Sequence, residues 1–406
     1  MSDNTVERTS RRQTAPGSHS VSLFRIFNIE IRLDISVILI FALIVASLAT
    51  GIFPNWHPDW STALTWGTAL VSGVIFFVSL LAHELSHSVV SQHYGIPVPR
   101  ITLFLFGGVA ETSREPDQPR EEFMIAIAGP LMSLAIALVC SWLAGWLSGD
   151  IALDAALAED QVAAIAGLGP AATMLFWLGS INLILAIFNM VPGFPLDGGR
   201  VFRAIIWWLT GDQVKATRWA TNGGRYFGWF LMATGIVSLL GGGGIGGLWW
   251  ILIGWFISSL AVLHYKQFSA EKALGEFRVR DLMRTHFELI KGDIPLQDFI
   301  DRYLLRSRQV LWPVERHGII LGVVSLADVQ TLQENERRSK TVSDITRPLS
   351  SLETLSPATS GKDALMALVK AGDEPLAVIE DGKVVGLIQH SDVMKWLSLH
   401  NGPGKA

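Results

Sequence analysis

Two histidines four residues apart, with a glutamate between them, stand inside an apolar run: His83-Glu84-Leu85-Ser86-His87. On a helix, residues four apart lie on one face, so both imidazoles can point at one ion. Glu84 then lies beside that ion, placed to take a proton from the water it activates. Two histidines and a glutamate among Val, Phe, Leu and Ala are costly in lipid unless they act. The spacing therefore points to zinc chemistry within a membrane. Catalytic zinc takes three protein ligands and leaves one position open, so a third ligand must come from elsewhere in the chain.

The elements that position these residues read as membrane helices. The 406 residues are 50% hydrophobic and 17% charged, against about 25% charged in a soluble globular protein. Fifteen tryptophans suit interfacial aromatic belts. A net charge of -4 argues against a nucleic-acid partner. The single cysteine, Cys140, excludes a disulfide framework and reads as a small apolar filler. Lys and Arg are absent from Ile35 to Pro99, from Glu121 to Gly199 and from Tyr226 to Tyr265, and return from Lys266 onward. This divides the chain into a membrane domain over residues 21–266 and a soluble tail.

A transmembrane helix needs about 20 apolar residues. Six runs meet this: 36–54, 65–91, 122–147, 171–191, 224–241 and 246–264. The 200–222 segment, with Trp207 and Trp208, reads as an interfacial or re-entrant helix. Residues 1–20 are polar and rich in Ser, Thr and Arg, as in a disordered terminus. The first long apolar run lies too far in, and is too long, for a signal peptide.

The connections on one side carry Arg25, Arg32, Arg100, Arg114, Arg120, Arg200, Arg203, Lys215, Arg218 and Arg225. Loops 55–64, 148–170 and 242–245 on the other side carry no Lys or Arg, and 148–170 holds Asp150, Asp154, Glu159 and Asp160. By the positive-inside rule this is a multi-pass cell-membrane protein with both termini cytoplasmic. His57 and Asp59 then read as surface residues of the far side. His87 falls near the cytoplasmic end of the second span. The fourth span returns to that level and ends in Asn189-Met190-Val191-Pro192-Gly193-Phe194-Pro195-Leu196-Asp197-Gly198-Gly199-Arg200. Asp197 is the lone acid there, among Gly and Pro that break the helix. Broken backbone at membrane depth survives only inside protein or beside a wet cavity, so Asp197 is the expected third ligand.

The two motifs together, HExxH in one span and N-x-x-P-x-x-x-L-D-G roughly 100 residues further on, resemble the site-2 protease family of intramembrane zinc metalloproteases. Asn189, Pro192, Leu196, Asp197 and Gly198 carry the second motif. Phe106-Gly107-Gly108-Val109-Ala110 is similar to that family's glycine-bearing loop. The resemblance implies one Zn2+ ion on His83, His87 and Asp197, Glu84 as general base, and Asn189, Gly107 and Gly108 as substrate-positioning residues.

The tail repeats itself. Val279-Arg280-Asp281-Leu282 answers to Val342-Ser343-Asp344-Ile345, and Gly322–Val329 to Gly386–Val393. Each copy reads helix, strand, strand, helix, and Asp381-Gly382 between two apolar runs is a hairpin signal. The pattern resembles a tandem pair of CBS domains, a Bateman module, over 277–334 and 340–398. That likeness implies an adenine nucleotide held by Asp328 and Asp392, with Ser325 at its phosphate. Gln389 departs from the Ser or Thr expected in the second copy. It also implies association as a homodimer through this module.

The fold expected is thus a polytopic α-helical membrane domain of about six spans followed by an α/β tandem CBS module. The function expected is hydrolysis of peptide bonds in or near transmembrane segments of membrane-anchored regulators, with the lipid bilayer as the second partner. The alternative is a CBS-gated metal ion transporter, in which His83, His87 and Asp197 form a transport site and Glu84 has no task.

Overall fold

The computed structural model describes residues 20–104, 107–148, 165–242, 244–307, 309–372 and 374–400. Of the expectations above, the disordered segment up to residue 19, Phe106 and the acidic residues Asp150, Asp154, Glu159 and Asp160 lie outside these. The chain forms two compact units, Met1–His264 and Tyr265–Ala406.

The first unit opens with a hairpin, β1 (Ser20–Ile26) and β2 (Ile29–Asp34). It continues through α1 (Ser36–Trp56), α2 (Thr62–His93), β3 (Arg100–Phe104) and β4 (Gly107–Glu111). Then come α3 (Pro119–Ser148), α4 (Pro170–Asn189), α5 (Asp197–Thr210), α6 (Gln213–Leu240) and α7 (Ile245–Glu276), whose residues after His264 belong to the second unit. The four strands make one sheet in the order β1-β2-β3-β4, with β2 parallel to β3 and the other pairs antiparallel. Ile29, Ile31, Ile101 and Leu103 pack on Phe77, Leu81 and Leu85, which seats the sheet against α2 beside His83.

α2 shows why these helices suit a bilayer. Ser61 caps its start, accepting a hydrogen bond from the Leu64 N–H at 3.3 Å. Its 32 residues would reach about 48 Å, more than the roughly 30 Å hydrocarbon core. The buried positions are small or polar: Thr65, Thr68, Ala69, Ser72, Gly73, Ser79, His83, His87, Ser88 and Ser91. Leu70, Val71, Val74 and Val78 face outward. Small residues inside and large apolar ones outside is the pattern of a helix solvated by lipid.

Among the described residues, five helices are long and apolar enough to cross a membrane: α1, α2, α3, α4 and α7. The sixth expected span, 224–241, is the C-terminal part of α6, which carries Arg225 at its start and is preceded in the same helix by Lys215 and Arg218. The expected 200–222 helix is two helices. α5 stops at Gly211, in the left-handed region at φ 68°. Asp212 then caps α6 through the N–H groups of Val214 and Lys215, both at 3.0 Å. His57 is buried rather than on the surface. Its Nε2 meets Thr173 Oγ1 at 2.8 Å and its ring stacks on Trp60, fastening the end of α1 to α4. Cys140 is buried, as its apolar surroundings suggested.

In the second unit the repeat is structural. β5 (Ile290–Lys291), α8 (Leu296–Phe299), β6 (Leu311–Arg316), β7 (Ile319–Ser325) and α9 (Leu326–Gln330) make one copy, and β8 (Arg347–Pro348) adds to its sheet. β9 (Thr354–Leu355), α10 (Gly361–Lys370), β10 (Leu376–Glu380), β11 (Lys383–Ile388) and α11 (His390–His400) make the other. The sheets run β5-β6-β7-β8 and β11-β10-β9. Both hairpins turn on two residues of positive φ, His317-Gly318 and Asp381-Gly382, as tight two-residue hairpins require. Both carry a bulge at the matching place, Val314/Glu315 and Val378/Ile379. Leu311 and Val323 of one copy pack with Ala377, Val384 and Leu387 of the other.

Candidate metal centre

Three side chains from two distant segments converge at one point. His83 and His87 project from one face of α2, and both are buried. Asp197 is the first residue of α5. Its Oδ2 lies 3.2 Å from each histidine Nε2, and the two Nε2 atoms lie 3.3 Å apart. Donor atoms on a tetrahedral zinc at about 2.0–2.1 Å are about 3.3 Å from one another. The triangle therefore has the size of a zinc site.

The other imidazole nitrogens are committed. His87 Nδ1 lies 2.6 Å from the Ile125 carbonyl oxygen, and His83 Nδ1 lies 2.8 Å from Ser133 Oγ. A carbonyl can only accept, so His87 Nδ1 carries the proton and Nε2 presents its lone pair inward. Gly129 lies between those two anchors on α3. A Cβ built there would collide with both Nε2 atoms, so the glycine leaves the space that an ion needs. Glu122, Ile125, Gly129 and Ser133 form one stripe of α3. Two imidazole nitrogens and a carboxylate oxygen converging on one point, with room kept clear, fit a bound dication.

Asp197 reaches this level because the turn before it is pressed into α5 and α6. A Cβ on Gly198 would strike the backbone of Met190, one on Gly199 the backbone of Gly193, and one on Gly224 the carbonyl of Phe194. The Phe194 N–H donates to the Ala220 carbonyl at 3.0 Å. The Phe194-Pro195 peptide is cis.

Glu84 is covered by β4. Its carboxylate accepts a hydrogen bond from the Gly108 N–H, and a Cβ on Gly108 would collide with its side chain. Gly107 holds φ 134°, a conformation that favours glycine. Thus the structure brings His83, His87, Asp197, Glu84 and Gly108 together. Asn189 ends α4, half-buried, and its side chain makes no hydrogen bond among the described residues.

Sequence reasoning missed the α3 stripe and the buried pair Glu122–Arg203. The signal was present: an acid, a glycine and a serine at helical spacing within an apolar span.

In the second unit, Asp328 and Asp392 each cap their own helix and each meet an arginine of the other copy. Arg347 Nε lies 2.8 Å from Asp328 Oδ1, and Arg284 Nη2 lies 2.6 Å from Asp392 Oδ1. Ser325 is buried and its hydroxyl donates to Asp328 at 2.7 Å. A cavity of about 570 Å3 opens beside Arg284, His286, Phe287 and Gln389. The space beside Arg347 is about 180 Å3 and is lined by Glu353 and Glu374.

A His-His-Asp donor set with both histidines buried and a glutamate adjacent, beside helices fit for a membrane, is the constellation of a membrane metallopeptidase. Residues 72–233 match the family model Peptidase family M50, and residues 342–399 match that of the CBS domain. The chain is 34% identical over 383 residues to the putative zinc metalloprotease Rip3 of Mycobacterium tuberculosis, covering 94% of this chain and 93% of that protein. It is 29% identical over 384 residues to the putative zinc metalloprotease sll0528 of Synechocystis sp., covering 94% and 96%. Among solved structures, it resembles the site-2 protease from Methanocaldococcus jannaschii at 28% identity and a TM-score of 0.40, over 60% of this chain and 94% of that one. The chain belongs to peptidase family M50. It is a metallopeptidase with a CBS region behind its membrane unit.

Proposed function

We propose that this chain is an intramembrane zinc endopeptidase with His83, His87 and Asp197 as zinc ligands and Glu84 as general base. The observation that carries the reading is the donor triangle with 3.2, 3.2 and 3.3 Å edges. A bound zinc ion supplies Lewis acidity, polarising a carbonyl and making water a nucleophile near neutral pH. Glu84 takes the proton of the attacking water and returns it to the departing amine nitrogen. The Gly108 N–H holds the Glu84 carboxylate in place for both transfers.

The substrate is a transmembrane segment of a membrane-anchored protein. Its helix must unwind before a peptide bond can be attacked, because helical backbone is internally satisfied. β4 ends its sheet, so its outer edge can pair with an extended substrate strand. Gly107 and Gly108 place that edge beside Glu84, and Asn189 orients the substrate from the end of α4. The domains are 21–266 for the protease and 277–334 and 340–398 for the CBS pair. Both termini face the cytoplasm, which requires α6 to cross with α7.

An adenine nucleotide regulates cleavage from the CBS pair, and the Asp392 side takes it. There a phosphate in the larger cavity can re-pair Arg284, which lines it, and so release Asp392 for a ribose. Beside Arg347, the partner of Asp328, two acids, Glu353 and Glu374, line the smaller space against the single Glu288 of the larger one, and oppose a phosphate more strongly.

The test is cleavage of a model transmembrane substrate by the full-length protein in detergent, beside Glu84→Gln, with zinc measured in both. Cleavage should fall by about 10²- to 10⁴-fold with zinc retained. Equal cleavage by the variant, or no zinc in either protein, would overturn the assignment.

A further inference from the structure

Apart from histidines, Glu122 and Arg203 are the charged side chains buried among the described residues, at 0% and 3% exposure. Arg203 Nε donates to Glu122 Oε1 at 2.5 Å, and Arg203 Nη1 lies 3.7 Å from Glu115 Oε2. The Arg203 Cζ also lies 5.4 Å from the centre of the Phe194 ring, which stacks on His264 at 4.2 Å. Replacing a buried ion pair by apolar residues is often neutral or stabilising, so stability alone does not account for this one.

What the pair joins is informative. Glu122 stands one helical turn before Ile125, on the α3 stripe that anchors His87 and His83 and keeps the Gly129 space clear. Arg203 belongs to α5, which begins at Asp197, and it lies against Phe194, three residues before that ligand. Glu115 belongs to the connector between α3 and β4, whose Gly108 holds Glu84. One guanidinium thus ties the histidine platform to the turn that delivers the aspartate. Its planar fork can meet these groups in fixed directions, which a lysine ammonium cannot.

We propose that Arg203, held by Glu122, is a positioning residue for Asp197, setting the start of α5 so that the carboxylate closes the donor triangle. This rests on the metal assignment above, and the experiment separates the two. Full-length protein loaded with zinc in detergent is mixed with excess chelator and zinc release is timed. The melting temperature of the metal-free protein is measured in parallel. Arg203→Met alone leaves a buried unpaired carboxylate and can fail to fold, so the deciding variant is the double, Glu122→Gln with Arg203→Met.

The double variant should release zinc about 10- to 100-fold faster, the cost usual for groups that orient metal ligands, with the metal-free melting temperature unchanged. Arg203→Lys should fall between it and the wild type. Release at the wild-type rate from the double variant would overturn the proposal, as would a metal-free melting temperature that falls along with zinc retention. A wild-type protein that holds no zinc would overturn the metal assignment itself, and this proposal with it.

Discussion

The two units invert each other. In α2 and α3 the buried stripe is glycine, serine, alanine, histidine and a glutamate, while Leu70, Val74, Leu131 and Leu138 face outward. In the tail the buried positions are Val314, Val324, Val378, Leu368 and Ile388, and the charges are outside. The same rule makes both, because large apolar groups go where the solvent tolerates them. Its consequence for function differs. In a unit solvated by lipid, a buried polar group has little reason to be there except chemistry. In a unit solvated by water, an acid at a helix start is first a cap, and its ligand role must be argued separately.

The sharpest way to break this contrast is to add one methyl group to the membrane interior. Gly129→Ala places a Cβ among the ligand nitrogens. It should weaken zinc binding by about 100-fold, the upper end for groups around a metal site, in a metal assay after dialysis against chelator. Zinc retained at wild-type affinity would mean that the stripe is ordinary small-residue packing.

Removing apolar groups should give the opposite result. Leu368→Ala, in the tail core at 0% exposure, should cost about 2–5 kcal/mol, read as faster hydrogen exchange in the β10–β11 hairpin. Leu138→Ala, outward on α3 at 63% exposure, should cost under about 0.5 kcal/mol by thermal unfolding in detergent. Similar losses at both sites would break the inversion.

This difference also decides what could be read in the sequence. His83, Glu84 and His87 stand out because polar residues are rare in an apolar run. Asp197 stood out because glycine and proline broke the helix around it. The tail's hairpins were legible from alternation and from Asp381-Gly382, and the repeat extended even to the bulges. The Ile125 carbonyl that fixes His87 was not legible, since every residue has a carbonyl. Arg203 read as one of the basic residues of a connection and Glu122 only as the first residue of a span, and only the packing of α3 on α5 buries them. The break at Gly211-Asp212 was overlooked because the residues on either side favour helix. Arg284 and Arg347 stand at the same place in the two copies, but their partners lie 108 and 19 positions along the chain, beyond any local pattern.

Within the tail, the two copies can be set against each other. Asp392→Ala should weaken binding of an adenine nucleotide to the full-length protein by about 10- to 100-fold, the worth of a hydrogen bond to a charged group. Asp328→Ala should change it less, because the larger cavity lies on the other side. Equilibrium dialysis with labelled nucleotide measures both. A greater loss at Asp328 would reverse the assignment of the open site.

The smallest expected effect concerns an exposed acid of the tail, where capping rather than burial governs. Asp344 accepts hydrogen bonds from the N–H of Thr341 at 2.7 Å and from its hydroxyl at 2.8 Å. These hold its carboxyl below the ordinary aspartate value, the backbone bond contributing most. A lowered folded-state value means that the unfolded chain binds its proton first as pH falls. The stabilisation is therefore complete above the ordinary aspartate value and fades as pH drops through the lowered one. Asp344→Asn should flatten that part of the acid limb in hydrogen exchange of the 342–345 turn and leave the zinc content of the protein unchanged. An acid limb identical to wild type would show that the cap adds nothing to the folded tail, and a change in zinc content would show that the two interiors are less separate than their opposite patterning implies.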